Sequence, residues 1–158
     1  MYKKEKEKMK KGNKQDIQQY CSLLFKYRPR TEEEIRVRCR EKGFDEEQIE
    51  KIIDELYTLK MLDDLRFSKM YIDDGLNLKT KGLFRLEREL STLGVSQEKI
   101  KQAVEEVNEE EILNVLKQDY KRNCKNNPEK WQRRMYRRGF QQKRIIEIVR
   151  DFKDNNFD

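Results

Sequence analysis

The sequence predicts an all-α protein built from three tandem three-helix units. A glycine-centred segment recurs three times, as "EKGFDEEQIE" at 41–50, "TLGVSQEKIK" at 92–101 and "RRGFQQKRII" at 137–146. Apolar residues flank each glycine at helical spacing. Of 158 residues, 43% are charged and only 35% hydrophobic, which suits exposed, ion-paired helices better than a thick sheet core.

Aligned on Gly43, Gly94 and Gly139, the three segments share one apolar pattern. Ile35, Leu86 and Trp131 stand eight residues before the glycine, and Cys39, Leu90 and Met135 four before it. Phe44, Val95 and Phe140 follow it directly. Ile49, Ile100 and Ile145 come next, then Ile52 and Ile53, Ala103 and Val104, Ile148 and Val149, and last Leu56, Val107 and Phe152. The spacings i, i+4 before the glycine and i, i+3, i+4, i+7 after it mark two amphipathic helices. The glycine ends the first of them in a left-handed conformation that a Cβ opposes. Asp45 and Ser96 then cap the second helix, with Gln141 a weaker cap in the third copy. Trp131 and Met135 are assigned to the core rather than to base stacking.

A further helix precedes each pair. Ile17, Tyr20, Cys21, Leu24 and Phe25 share one face of 15–27. Pro29 breaks that helix, and Thr31 with Glu34 forms a capping box for the next. Phe67, Met70 and Tyr71 are expected together behind an Asp63 or Asp64 cap, and Ile112, Val115, Leu116 and Tyr120 line 109–124. The expected helices are 15–27, 31–42, 46–60, 63–77, 82–93, 96–107, 109–124, 128–138 and 141–153. They group as repeats over 15–60, 61–107 and 108–153, between a basic flexible tail at 1–14 and a short tail at 154–158. Periods of this length indicate arrays whose units bury faces on their neighbours.

Several function classes are disfavoured. No apolar run reaches the roughly 18 residues of a membrane span, so no membrane partner is expected. The N-terminal "MYKKEKEKMKKGNK" lacks the apolar centre of a secretory signal. Three widely spaced cysteines and no histidine argue against a zinc site or disulfide framework and fit the cytoplasm. Without histidine the commonest general base is absent, and no phosphate-cradling glycine motif occurs. The chain is therefore read as a non-enzyme without cofactor or metal.

Charge is unevenly distributed. Residues 1–30 hold ten Lys/Arg against three Asp/Glu, residues 31–119 fifteen against twenty-three, and residues 120–150 eleven against two. The third unit is thus a basic module. Arg133 and Arg137 lie one helical turn apart, as do Arg134 and Arg138, and Lys143 and Arg144 open the next helix. Because Trp131 and Met135 claim the buried stripe, all four helix arginines are expected with exposed guanidinium ends. Such a face can neutralise phosphates without reading sequence. It can equally be a solvated face, or one docked on the acidic middle. The glycine corner is not specific for DNA, since it joins helices in many other folds.

Three ordered pieces resemble the RecX family of bacterial recombination regulators. They are "RTEEEIRVRCREKGFDEEQIEKIIDELYTLKMLDDLRFSKMYI", "LNLKTKGLFRLERELSTLGVSQEKI" and the terminal "MYRRGFQQKRIIEIV", spanning roughly residues 15–152. Within the second, Gly82, Arg85, Leu86, Glu89, Leu90, Gly94 and Val95 stand in the family's order. The resemblance implies three tandem three-helix repeats in an elongated, curved array. It implies binding to RecA nucleoprotein filaments, with restraint of their assembly, ATPase and strand exchange, in recombination, DNA repair and the SOS response. Candidate DNA- or filament-binding residues are Arg133, Arg134, Arg137, Arg138, Lys143, Arg144, Lys79, Lys81, Arg85 and Arg88. The expected partners are the RecA filament and, weakly and non-specifically, single- or double-stranded DNA, contacted by a monomer. The alternative reading is a helical-repeat DNA-binding protein acting independently of RecA.

Overall fold

The structure, a computed structural model, describes residues 14–154; the expected tails otherwise lie outside the described residues. Nine helices and no strand occur among the described residues. They are α1 (Lys14–Tyr27), α2 (Glu32–Lys42), α3 (Glu46–Thr58), α4 (Asp64–Asn77), α5 (Leu83–Thr92), α6 (Gln97–Glu105), α7 (Glu109–Asn123), α8 (Pro128–Arg137) and α9 (Gln142–Asp154). Each expected helix is present, with ends displaced by at most two residues.

The helices divide into two compact units. One holds the described residues up to Phe67 together with Leu93–Val95; the other holds Ser68–Thr92 and the described residues from Ser96 onward. In the first unit Ile17, Cys21, Ile35, Cys39, Ile49, Ile52, Ile53, Leu56 and Leu62 form the core, flanked by Tyr20, Leu24, Phe25 and Phe44. The Cys21 and Cys39 sulfurs lie 3.7 Å apart in this core as free thiols. In the second unit Leu86, Leu90, Trp131, Met135, Phe140, Ile145 and Ile148 are all at most 2% exposed. Tyr120 meets Trp131 edge-on at 4.9 Å and stacks on Phe152 at 4.6 Å.

The caps follow the sequence. Thr31 and Asp45 each accept from the third helical N–H in complete capping boxes, and Ser96 accepts from Lys99 N–H. Gly43 and Gly139 adopt φ of 97° and 92°. Both corners close the same way: Gly43 N–H donates to Arg40 and Phe44 N–H to Cys39, while Gly139 N–H donates to Tyr136 and Phe140 N–H to Met135. These are the paired bonds of a Schellman cap, and they consume carbonyls that a helix end leaves orphaned.

One expected face is corrected. In α4 the buried stripe is Ser68, Ile72, Gly75 and Leu76, whereas Met70 is 47% exposed and Phe67 and Tyr71 are half-buried. The physical reason is a tight crossing. A Cβ on Gly75 would stand 2.3 Å from Leu86 Cδ2, so the face that packs is the one with small residues.

A closer approach occurs at Gly82, just before α5. A Cβ there would lie 2.1 Å from the Gly139 carbonyl carbon. Gly82 N–H donates to Arg138 O at 2.8 Å, and Phe84 N–H donates to Gly139 O at 3.3 Å. The carbonyls of Arg138 and Gly139, at the C-terminal end of α8, thus satisfy N–H groups at the start of α5. Arg138 adds a second layer, its guanidinium donating to the carbonyls of Lys79 and Thr80, both at 3.3 Å. The first unit contains a contact in the same register. Thr31 stands twelve residues before Gly43, as Gly82 does before Gly94, and its hydroxyl donates to Leu93 O at 2.8 Å.

Glu89 on α5 gathers three donors: Lys81 Nζ at 2.7 Å, Arg85 Nε at 2.9 Å and Tyr71 OH at 2.9 Å. Burial opposes its charge, but these hydrogen bonds outweigh that and hold the carboxyl down to about 2. Burial and the bond to Glu89 push Tyr71 up to about 12, which keeps it a donor.

Two predictions concern stability. Nothing lies within 4 Å of a Cβ on Gly43, so Gly43→Ala should cost only the backbone strain, about 1 kcal/mol in denaturant melts. Gly82→Ala and Gly139→Ala meet backbone at 2.1 and 2.6 Å and should cost more, about 2 kcal/mol or above. Equal losses at Gly43 and Gly139 would contradict this packing. The second concerns acid. A carboxyl lowered to about 2 contributes stability that is complete above the ordinary value of 4.5 and is lost as pH falls toward 2. Glu89→Gln should therefore flatten the acid limb in that window by about 1–2 kcal/mol, after discounting for the quarter of the side chain open to solvent. An unchanged acid limb would contradict it.

Candidate partner-binding face

The buried stripe of α8 is Trp131 and Met135, which orients its arginines unequally. Arg133 and Arg137 are exposed and make no ion pair among the described residues. Arg134 is half-buried and pairs with Asp119 of α7 at 2.6 Å, on the carboxylate oxygen that also accepts from Trp131 Nε1 at 2.8 Å. Arg138 is half-buried and committed to the Lys79 and Thr80 carbonyls. The expectation of four exposed guanidinium ends is therefore corrected to two. Asp119 and the two carbonyls draw the other pair inward, because a charged hydrogen bond in a partly desolvated place outweighs solvation at the rim.

The remaining candidates divide in the same way. Arg144, with 14% of its side chain exposed, forms a bidentate pair with Glu109. Lys81 and Arg85 share Glu89. Lys79, Arg88 and Lys143 are exposed and carry no ion pair among the described residues. Five cations thus remain available for a partner: Lys79, Arg88, Arg133, Arg137 and Lys143.

Two aromatic side chains join this face, and sequence reasoning missed both. Phe84 on α5 is 57% exposed and Tyr136 on α8 is 65% exposed. The signal was available: Phe84 lies off the Leu86–Leu90 stripe and Tyr136 off the Trp131–Met135 stripe. Both line an open cleft of about 630 Å³ with Arg85, Arg88, Arg137 and Phe140. Tyr136 and Arg137 also line an adjoining cleft of about 500 Å³ with Arg133 and Ile145. The Gly82–Gly139 approach fixes this arrangement, since Phe84 N–H is held by Gly139, three residues beyond Tyr136. Chemically the face can bind anions through guanidinium groups and flat apolar groups through its rings.

No cluster of potential metal ligands occurs among the described residues, and none of their helices is long and apolar enough to cross a membrane.

Known proteins resemble this chain throughout. Residues 24–56 match the family model "RecX, first three-helix domain", and residues 63–104 match "RecX, second three-helix domain". Regulatory protein RecX of Thermotoga maritima is 34% identical over 153 residues, covering 90% of this chain and 91% of that protein. The Regulatory protein RecX of Prosthecochloris aestuarii is 37% identical over 79 residues, half of this chain and 52% of its own length. Among solved structures, RecX from Lactobacillus salivarius superposes with a TM-score of 0.81 at 18% identity, covering 89% of this chain and 96% of that one. A second regulatory protein RecX superposes with a TM-score of 0.73 at 22% identity, covering 87% and 73%. The structural likenesses establish the fold, and the sequence relationship, spread over nine tenths of both proteins, establishes descent: the chain belongs to the RecX family of regulatory proteins.

Proposed function

We propose that this protein binds RecA nucleoprotein filaments in the cytoplasm and restrains their assembly, ATP turnover and strand exchange, acting without catalysis as a monomer in recombination, repair and the SOS response. The observation that carries the reading is the relationship to Regulatory protein RecX over nine tenths of the chain. The second unit supports it physically. Three exposed arginines without an ion pair among the described residues, Arg88, Arg133 and Arg137, flank exposed rings there, in a chain whose other arginines are mostly committed to internal carboxylates. A nucleoprotein filament presents phosphates and protein side by side, and a face of mixed arginine and aromatic character suits both.

The deciding experiment is RecA-driven ATP turnover on single-stranded DNA, at salt high enough to abolish the chain's own DNA binding. Slower turnover is the expected result. Unchanged turnover under those conditions would remove the RecA contact and leave an independent DNA-binding protein.

The arginine partition gives a sharper test. Arg133→Ala and Arg137→Ala should weaken filament restraint with melting changed by no more than about 0.5 kcal/mol, as for exposed positions. Arg134→Ala and Arg138→Ala should destabilise by about 1–3 kcal/mol, because each leaves hydrogen-bonded partners unmatched. A reversed order in either measurement would contradict the assignment.

A further inference from the structure

We infer that the cleft lined by Phe84, Tyr136, Arg88 and Arg137 is a binding site for an unpaired nucleic-acid strand, whose bases stack on the two rings while its phosphates meet the arginines. The inference does not rest on any contact with RecA.

Three observations point to this occupant. First, the rings are exposed although the core was free to take aromatic residues, as it does with Trp131 and Phe140. Rings 57% and 65% open to solvent can accept a stacked base without rearrangement of the fold. Second, the cleft is electropositive. Arg85, Arg88 and Arg137 line it against a single carboxylate, Glu89, whose oxygens are already held by Lys81, Arg85 and Tyr71. That carboxylate therefore offers little repulsion to an arriving phosphate. Third, the site continues. Tyr136 and Arg137 form the ridge between this cleft and the next, where Arg133 stands, so a strand crossing Tyr136 meets a further cation on the far side.

The combination selects single strands over duplex. Stacking requires an exposed base face, which a duplex buries, whereas phosphates are offered by both. The rings should therefore discriminate strandedness and the arginines should not. A protein partner would also use arginine and aromatic side chains; discrimination of single strand from duplex through the rings is the property that assigns the cleft to an unpaired strand.

The test uses the full chain without RecA. Fluorescence anisotropy would compare a labelled oligothymidylate with a duplex of equal length. Phe84→Leu and Tyr136→Leu keep apolar bulk and remove the stacking face. Each should weaken oligothymidylate binding about fivefold or more and leave duplex binding unchanged. Tyr136→Phe should retain the affinity, since the ring remains. Arg88→Ala and Arg137→Ala should weaken both ligands and reduce the slope of log affinity against log salt by about 0.7 each on the single strand. Oligouridylate in the same assay identifies the sugar: comparable or tighter binding supports an unpaired strand of either kind. Leucine variants that bind oligothymidylate as the parent does, with parental melting, would overturn the proposal. So would leucine variants that lose duplex and single strand equally. A loss of filament restraint in the leucine variants, with oligothymidylate binding intact, would also overturn it and assign the cleft to a protein partner.

Discussion

At Gly82 and Gly139 two backbones pass so closely that neither residue can carry a side chain, and the second unit depends on that pass. The carbonyls ending α8 accept the N–H groups that begin α5, so two helix termini satisfy each other without water or side chains. Arg138 fastens the strap before α5 by its carbonyls, and Glu89 ties α4, the strap and α5 together through Tyr71, Lys81 and Arg85. Most of the stretch expected as the second repeat, Ser68–Thr92 and the residues from Ser96, shares one compact unit with the described residues expected as the third.

The same pass explains how a charged chain keeps a few charges for a partner. Most arginines near it are used internally: Arg138 on the strap, Arg134 on Asp119 and Arg85 on Glu89. Such pairs orient helices more than they stabilise them, because exposed pairs contribute little each. What remains exposed is a face on which Arg88 and Phe84 of α5 stand beside Tyr136 and Arg137 of α8. Two helices supply that face, and only their fixed relation makes it one surface.

The nine helices among the described residues, and the glycine corners, were legible because their signals are local. A left-handed corner wants glycine, an N-cap wants Thr, Asp or Ser, and large apolar residues recur at helical spacing; Gly43, Thr31 and the Trp131–Met135 stripe each follow such a rule. What escaped was set by partners distant in sequence. Nothing local to α4 says that Ser68 and Gly75, rather than Met70, meet a neighbour. Nothing near Arg134 says that Asp119 waits fifteen residues away. Counting charge marks a basic stretch at 120–150 but does not divide its arginines into bound and available. Phe84 and Tyr136 could have been singled out as rings off the buried stripe, had exposure of an aromatic been weighed as a signal in its own right.

Native-state hydrogen exchange at the Gly82 amide tests the backbone pass most directly. Its N–H has one acceptor, Arg138 O at 2.8 Å, and lies outside any helix. If the pass holds α5 and α8 as one body, Gly82 exchanges with the same opening free energy as the Trp131 and Met135 amides inside α8. If Gly82 exchanges as freely as a loop residue while those amides stay protected, the two helices are not locked, and the face they share is not a single site.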